Sequence, residues 1–348
     1  MKKVIAKKIV KKNFGKGLIP DTKDERDLKF EDVLGAAAPV MTDADWKQGY
    51  DVEKALNIKI PFKNQQSSES CVGNGFSYYI GVLNAKEVGH YDDVSAKSLY
   101  SQIFLPGGGA QLRDAAKLTV NFGALLEKQL SSYKPDGTTN EAFMEDKKWI
   151  TPALINTAKV LQTKTYLTLS TITMDIVARA IKDNMGIVGG VGGSNNGTWY
   201  TNEPKAPTSA AEWYHCLYFG KFGVDALGKY IATPNSWGTR NEADALHPDD
   251  WQKLRADWFA NNAKFLINPW TLTDKANIID PNLITTMAMI KKQGEATVYA
   301  QVSNILIPFT TDWATYQLDF KGVQIKEISP TEFAKFKIAG DVVITKKI

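Results

Sequence analysis

Cysteine is scarce in this chain: Cys71 and Cys216 are the only two in 348 residues. One pair cannot build the disulfide framework of a small secreted domain, so both thiols are expected to be reduced. Histidine is nearly as rare. His90, His215 and His247 stand far apart without metal-ligand spacing, so neither a metal nor an organic cofactor is expected. Long apolar runs are missing as well; none approaches the roughly 20 residues that cross a bilayer, and no membrane span is expected. The start, MKKVIAKKIVKKNFGKG, is basic but has no apolar h-region and no small-residue cleavage site, and is read as carrying no secretory signal. P-loop, zinc spacing and ribonucleoprotein motif are all absent, which argues against a nucleic-acid partner. GIVGGVGGSNNG (186–197) lacks the Lys-Ser/Thr ending of a phosphate loop and reads as a buried strand followed by a loop.

What is present points to a soluble α+β protein. The net charge is +4, and it is uneven, because the first sixteen residues hold seven lysines and no acid. Such a tail is read as a solvated leader. Residues 1–45 form an extension that includes the linker-like GAAAPV, and a denser region of 46–275 follows. From Cys71 an amphipathic helix is predicted, with Val72, Phe76, Tyr79, Ile80 and Leu83 at helical spacing. Gly73, Gly75 and Gly81 weaken it and open room for close backbone approach. Further helices are predicted over SAKSLYSQIF, LRDAAKLTVNFG, TMDIVARAIKDNMG and PDDWQKLRADWFANNA. Strands are predicted over IVGGVGG, HCLYFGKFG, KYIATPNSWG and KFLINPWTL. Helices first and strands later is an α+β pattern rather than alternating βαβ. Residues 279–348 read as a small α+β module: a hairpin turning at Ser303-Asn304, a helix DWATYQLDF, a strand VQIKEIS, a helix PTEFAKFK and a strand DVVITKK. It carries no cluster that suggests chemistry, and is expected to bind a partner of unknown kind.

The chemistry concentrates around Cys71. A thiol at a helix amino terminus faces unpaired N–H groups and the positive end of the helix dipole, which favour the nucleophilic thiolate. Its partner would be a histidine. His215 opens one strand, and Asn235 lies twenty residues on, in PNSWG. Two strands joined by a turn place these side chains together; an Asn carbonyl oxygen holds one imidazole tautomer, and Trp237 shields that bond from water. Gln65 and the Cys71 N–H would then face a developing oxyanion. Nucleophile, base, orienting amide and oxyanion donors are the parts of an acyl-transfer site. Cys216, next to His215, should point to the opposite face of its strand and be inert. His90 and His247 read as solvated, and Trp251 and Trp258 as packing residues.

NQ…SCVGNGFS, HCLYFGKFG and NSWGT, in that order, resemble the papain-like cysteine peptidases over about residues 45–275. DADW resembles the start of the mature enzymes, and GGGAQLRDAAKLTVNFGALLE the segment that binds substrate along the cleft. The resemblance implies a two-subdomain fold with a helical half and a β-rich half. It implies a thiol protease with Cys71 as nucleophile, His215 as base and later acid, Asn235 as orienting residue and Gln65 as oxyanion donor. Gly108, Gly109, Tyr214 and Trp237 would line the substrate cleft, and a peptide or protein would be the substrate. Val72 stands where the family usually has Trp, Ser68 where it has a cysteine, Tyr214 where a small or acidic residue is commoner, and Ala110 where a second glycine often lies. Disulfide-free members are bacterial or phage-type, so a cytoplasmic or virion-associated location is expected. The competing expectation is a catalytically weak or inactive protein that kept the fold as a cell-surface or virion-associated binding module.

Overall fold

The computed structural model describes residues 16–34, 41–195, 197–238, 250–259, 266–273, 288–294, 298–302, 305–308, 325–334 and 337–338. The chain divides into two compact units, 1–275 and 276–348. The first unit begins with α1 (Phe30–Leu34), α2 (Asp43–Gln48), β1 (Tyr50–Asp51), α3 (Val52–Leu56), α4 (Cys71–Val88), α5 (Ala96–Ile103), α6 (Leu112–Asn121), α7 (Glu141–Glu145) and α8 (Pro152–Ala158). It continues with β2 (Tyr166–Thr168), α9 (Met174–Asn184), β3 (Ile187–Gly193), β4 (Trp213–Phe219), β5 (Lys221–Asp225), β6 (Gly228–Thr233), β7 (Gln252–Leu254) and β8 (Leu266–Leu272).

Helix α4 is where the amphipathic expectation fails. Every residue from Cys71 to Ala85 is buried, as in a helix packed on all sides. Its glycines make this possible. A Cβ at Gly73 would lie 2.7 Å from Ala96 O on α5, one at Gly75 would lie 2.7 Å from Cys216 Sγ on β4, and one at Gly81 would meet the Tyr91 ring at 2.8 Å. Each glycine costs about 1 kcal/mol of helix propensity. Burying Phe76, Ile80 and Leu83 contributes about 1.5–3 kcal/mol each, so packing outweighs propensity.

Two antiparallel sheets form the β-rich half, in the strand orders β2-β8-β3-β4 and β1-β5-β6-β7. The predicted single strand HCLYFGKFG is divided at Gly220: β4 pairs with β3 in one sheet, and β5 pairs with β6 in the other. His215 and Asn235 are therefore joined across two sheets rather than by one hairpin. The predicted helix 248–263 is also replaced within the described residues. Residues 252–254 form β7 against β6, and Ala256–Trp258 is a single 3-10 turn. Its apolar spacing suits a helix, but Gln252 and Leu254 alternate inward as a strand requires. Trp251 and Trp258 are both buried, as packing residues.

Two apolar clusters result. One joins α4, α5 and α6 to the inner faces of β4 and β8, through Val72, Leu83, Leu99, Leu112, Cys216 and Trp270. The other lies between the sheets and α9, through Trp46, Ile181, Leu217, Phe222, Ile231 and Trp258. Cys216 belongs to the first cluster, while His215 stacks on Trp237 of the second, as strand alternation predicts.

In the second unit, β9 (Ala288–Lys292), β10 (Val298–Val302), β11 (Ile305–Pro308), β12 (Ile325–Ile328) and β13 (Lys337–Ile338) form a sheet ordered β12-β9-β10-β11-β13. The expected hairpin is there, β10 pairing antiparallel with β11; the strand in VQIKEIS is β12, and PTEF forms one helical turn. The predicted helix 312–320, the predicted strand 341–347, the turn residues Ser303-Asn304, the GAAAPV linker and the lysine-rich residues 1–15 lie outside the described residues. Among the described residues, no helix is long and apolar enough to cross a membrane.

Candidate active site

Asn235 follows β6 in a left-handed conformation, φ +56°. Its amide is held from both ends: Oδ1 accepts the Ser236 N–H at 2.6 Å, and Nδ2 donates to Gln252 Oε1 at 2.7 Å. Gln252 is itself fixed by donating Nε2 to Trp199 O and Thr201 O at 2.8 and 2.9 Å. The oxygen of the Asn235 amide therefore faces His215, whose Nε2 lies 3.0 Å away. An acceptor there selects the tautomer with hydrogen on Nε2. Trp237 stacks on the imidazole with ring centroids 4.4 Å apart. His215 is 0% exposed and Asn235 2%, so water does not compete for this bond. Gln252 is the residue that sequence reasoning missed; a lone Gln inside an apparent helix gave no signal.

The segment before α4 is tied to the same loop. Gln65 N–H donates to Ser236 O at 2.9 Å, and Gly238 N–H to Lys63 O at 2.9 Å. The Gln65 side chain accepts the Ser236 hydroxyl at 2.6 Å and gives one amide hydrogen to Ser68 O at 2.8 Å. Ser68 Oγ donates to Gln65 O at 2.7 Å and lies 2.7 Å from Ser70 Oγ, so hydrogen bonds brace this turn. At the start of α4, Ser70 supplies no side-chain cap. The Cys71 thiol faces the N–H groups of Val72 and of Cys216, the residue after His215, and both act to lower its pKa.

A third N–H faces the thiol, that of Gly17. Residues 16–21 run over Cys71 as a strap. Gly17 bridges Tyr214 and Leu18 bridges Ala110, both in parallel sense. Ala110 N–H donates to Gly17 O at 2.8 Å, and Ile19 N–H to Ala110 O at 3.0 Å. Gly109 has φ +80°, and a Cβ there would fall 2.6 Å from Gly17 O; a Cβ on Gly17 would fall 1.9 Å from Glu69 O. Gly108, φ +94°, packs against the Glu69 carboxylate. Leu18 is buried, with Cδ2 where a Gly190 Cβ would be. Beyond it, buried Asp21 accepts from Trp270 Nε1 at 2.9 Å and from Arg113 N–H, while Arg113 forks onto Asp27. Under this strap Cys71 is 0% exposed. Burial pushes its pKa up to about 12, opposite to the direction expected at a helix start. Desolvation outweighs the three N–H groups and the helix dipole.

No protein-family model and no curated protein matches the chain. Solved structures do. Xylellain, a cysteine protease from Xylella fastidiosa, aligns over 78% of this chain and 99% of its own, at 16% identity and a TM-score of 0.56. The digestive procathepsin L2 proteinase of Tenebrio molitor larval midgut aligns over 75% of this chain and 78% of its own, at 17% identity and 0.56. The proCathepsin B S9 of Trypanosoma congolense aligns over 75% and 85%, at 13% identity and 0.53. This is the papain-like fold. Its helical half carries Cys71 and its β-rich half carries His215 and Asn235, as the sequence resemblance implies. Of the residues expected to line the cleft, Gly109 and Tyr214 contact Gly17 of the strap, Trp237 stacks on the imidazole, and Gly108 packs against Glu69. His90 is exposed beside Asp92, and His247 lies outside the described residues. Groups of three or more potential metal ligands are absent among the described residues.

Proposed function

We propose that the chain is a cysteine peptidase held closed by its own residues 16–21. The observation that carries this reading is the buried His215–Asn235 bond under Trp237, beside a cysteine at the start of α4. Nε2 is taken by Asn235, so Nδ1 is the ring nitrogen that exchanges a proton with Cys71. The thiolate attacks a peptide carbonyl carbon and forms the Sγ–C bond. The oxyanion is met by the Cys71 N–H and the second hydrogen of Gln65 Nε2. His215 then protonates the leaving amine as the C–N bond breaks, and later takes a proton from the water that releases the acyl group. The buried thiol fits a closed state, and two of the structures named above are described as procathepsins.

The competing reading, a retained fold without turnover, is favoured only if the thiol stays inert once uncovered. Gly17→Ala is the opening variant, because its Cβ cannot coexist with Glu69 O at 1.9 Å. Full-chain Gly17→Ala should take one epoxysuccinyl adduct, mapped to Cys71, and hydrolyse peptides. Cys71→Ala in that background should do neither, and His215→Ala should label about 100-fold more slowly or worse. A folded Gly17→Ala chain whose Cys71 alkylates with iodoacetamide, but which cleaves no peptide, would falsify the peptidase reading.

A further inference from the structure

Lys16 lies beside the site without taking part in the chemistry just described. Its Nζ is 3.0 Å from Asn195 Oδ1 and 4.7 Å from the centroid of the Trp213 ring. Asn195 is oriented for this contact: its backbone N–H and its Nδ2 both donate to Glu212 Oε2, at 3.1 and 2.7 Å, which turns Oδ1 toward the ammonium. Glu212 adds a negative charge that acts to raise the lysine's pKa, against the larger lowering by burial. The indole can serve as a floor because its cross-strand neighbour is Gly193, whose Cβ would fall 2.0 Å from the Trp213 ring. An aromatic face, a carbonyl oxygen and a carboxylate around one ammonium make a receptor for a basic side chain.

The position of this receptor relative to the chemistry can be read from the strand. Trp213 and His215 alternate onto one face of β4, and both rings contact Trp237, at 5.9 and 4.4 Å. Lys16 thus lies against Trp213, two residues before His215 on β4, whereas Leu18 lies against Ala110 and against Gly190, the cross-strand partner of Cys216. In the proposed reaction His215 protonates the leaving amine, so the leaving half of a substrate lies on its own side of the cleft. We propose that Trp213, Asn195 and Glu212 form a leaving-side subsite that selects a lysine or arginine next to the cleaved bond, and that Lys16 occupies it in cis. The substrate part of this inference rests on the peptidase reading.

The test has two arms on the full chain. In the first, Cys71 alkylation by iodoacetamide is followed by peptide mapping in wild type, Lys16→Ala, Glu212→Ala and the double variant. Each single change should speed alkylation by about five- to tenfold, and the double no more than either, since both remove one interaction. Effects that multiply in the double variant overturn occupation of the subsite by Lys16. In the second arm, Gly17→Ala, with Leu18→Asp as an alternative opener, is given peptides carrying Lys, Ala or Glu as the first leaving residue. Lys should exceed Glu by about tenfold in kcat/KM, and Glu212→Lys should reverse the order. Hydrolysis with the same order in Glu212→Lys overturns the subsite alone. Hydrolysis of no peptide by an opener whose Cys71 still alkylates overturns the peptidase reading and the substrate inference with it.

Discussion

At Asn235 a single backbone choice serves several bonds. A φ of +56° lies in the left-handed region that Asn enters more readily than most residues. It lets the side chain turn back to His215 while the carbonyl accepts the Tyr78 hydroxyl at 2.8 Å. Cys71, His215, Asn235 and Gln65 were nominated from the sequence because their order and neighbours resemble the papain-like peptidases, and the structure brings His215 within 3.0 Å of Asn235 and ties Gln65 to Ser236 of the same loop. The state of Cys71 was not legible, since it depends on a strap more than fifty residues upstream. The sign of its pH dependence follows from burial. The closed arrangement binds the thiol proton more tightly, so its advantage is fully present below the ordinary thiol value of about 8.5 and diminishes as pH rises toward about 12. Iodoacetamide alkylation of wild-type Cys71 should therefore show its inflection far above the ordinary thiol range. Gly17→Ala should bring it down by more than one pH unit. An unchanged inflection would mean that the strap is not what buries the thiol.

Elements were read well where local chemistry decided them. Thr173 and Ser95 cap α9 and α5 by accepting Ile176 N–H and Ser98 N–H, and both helices stand where the sequence placed them. Reading failed where tertiary contacts override pattern. Helix α4 is buried all round because its glycines admit α5 and β4, a fact set by its neighbours. Residues 252–254 become a strand because β6 offers an edge and Gln252 finds three partners there. That placement ties β7 to the Asn235 amide. Gln252→Ala leaves Asn235 Nδ2 and the carbonyls of Trp199 and Thr201 without this partner, and should lower stability by about 2–4 kcal/mol. A merely structural role predicts only that loss. A positioning role also predicts a shifted pH profile for epoxysuccinyl labelling in the Gly17→Ala background, with Gln252→Glu restoring part of it by supplying the same oxygen acceptor. Equal profiles at temperatures well below Tm would reduce Gln252 to a packing residue.

On the scale of the whole molecule, the two apolar clusters found among the described residues are built from residues 18–272, and the second unit, 276–348, has a sheet of its own. A chain ending at residue 275 should therefore keep its cooperative unfolding transition and its rate of Cys71 alkylation, measured by thermal melt and peptide mapping. A collapse of either would tie the second unit to the integrity of the first. The occupant of the cleft belongs to the same polypeptide as the cleft, anchored through Asp21, Asp27 and Arg113 only a few residues away. A ligand tethered so closely has an effective concentration on the order of millimolar or more, whatever the protein concentration. Dilution cannot release it. On the proposed peptidase reading, a rival peptide must outcompete that local concentration, so the closed form should resist added peptides equally in a dilute extract and in a crowded cell.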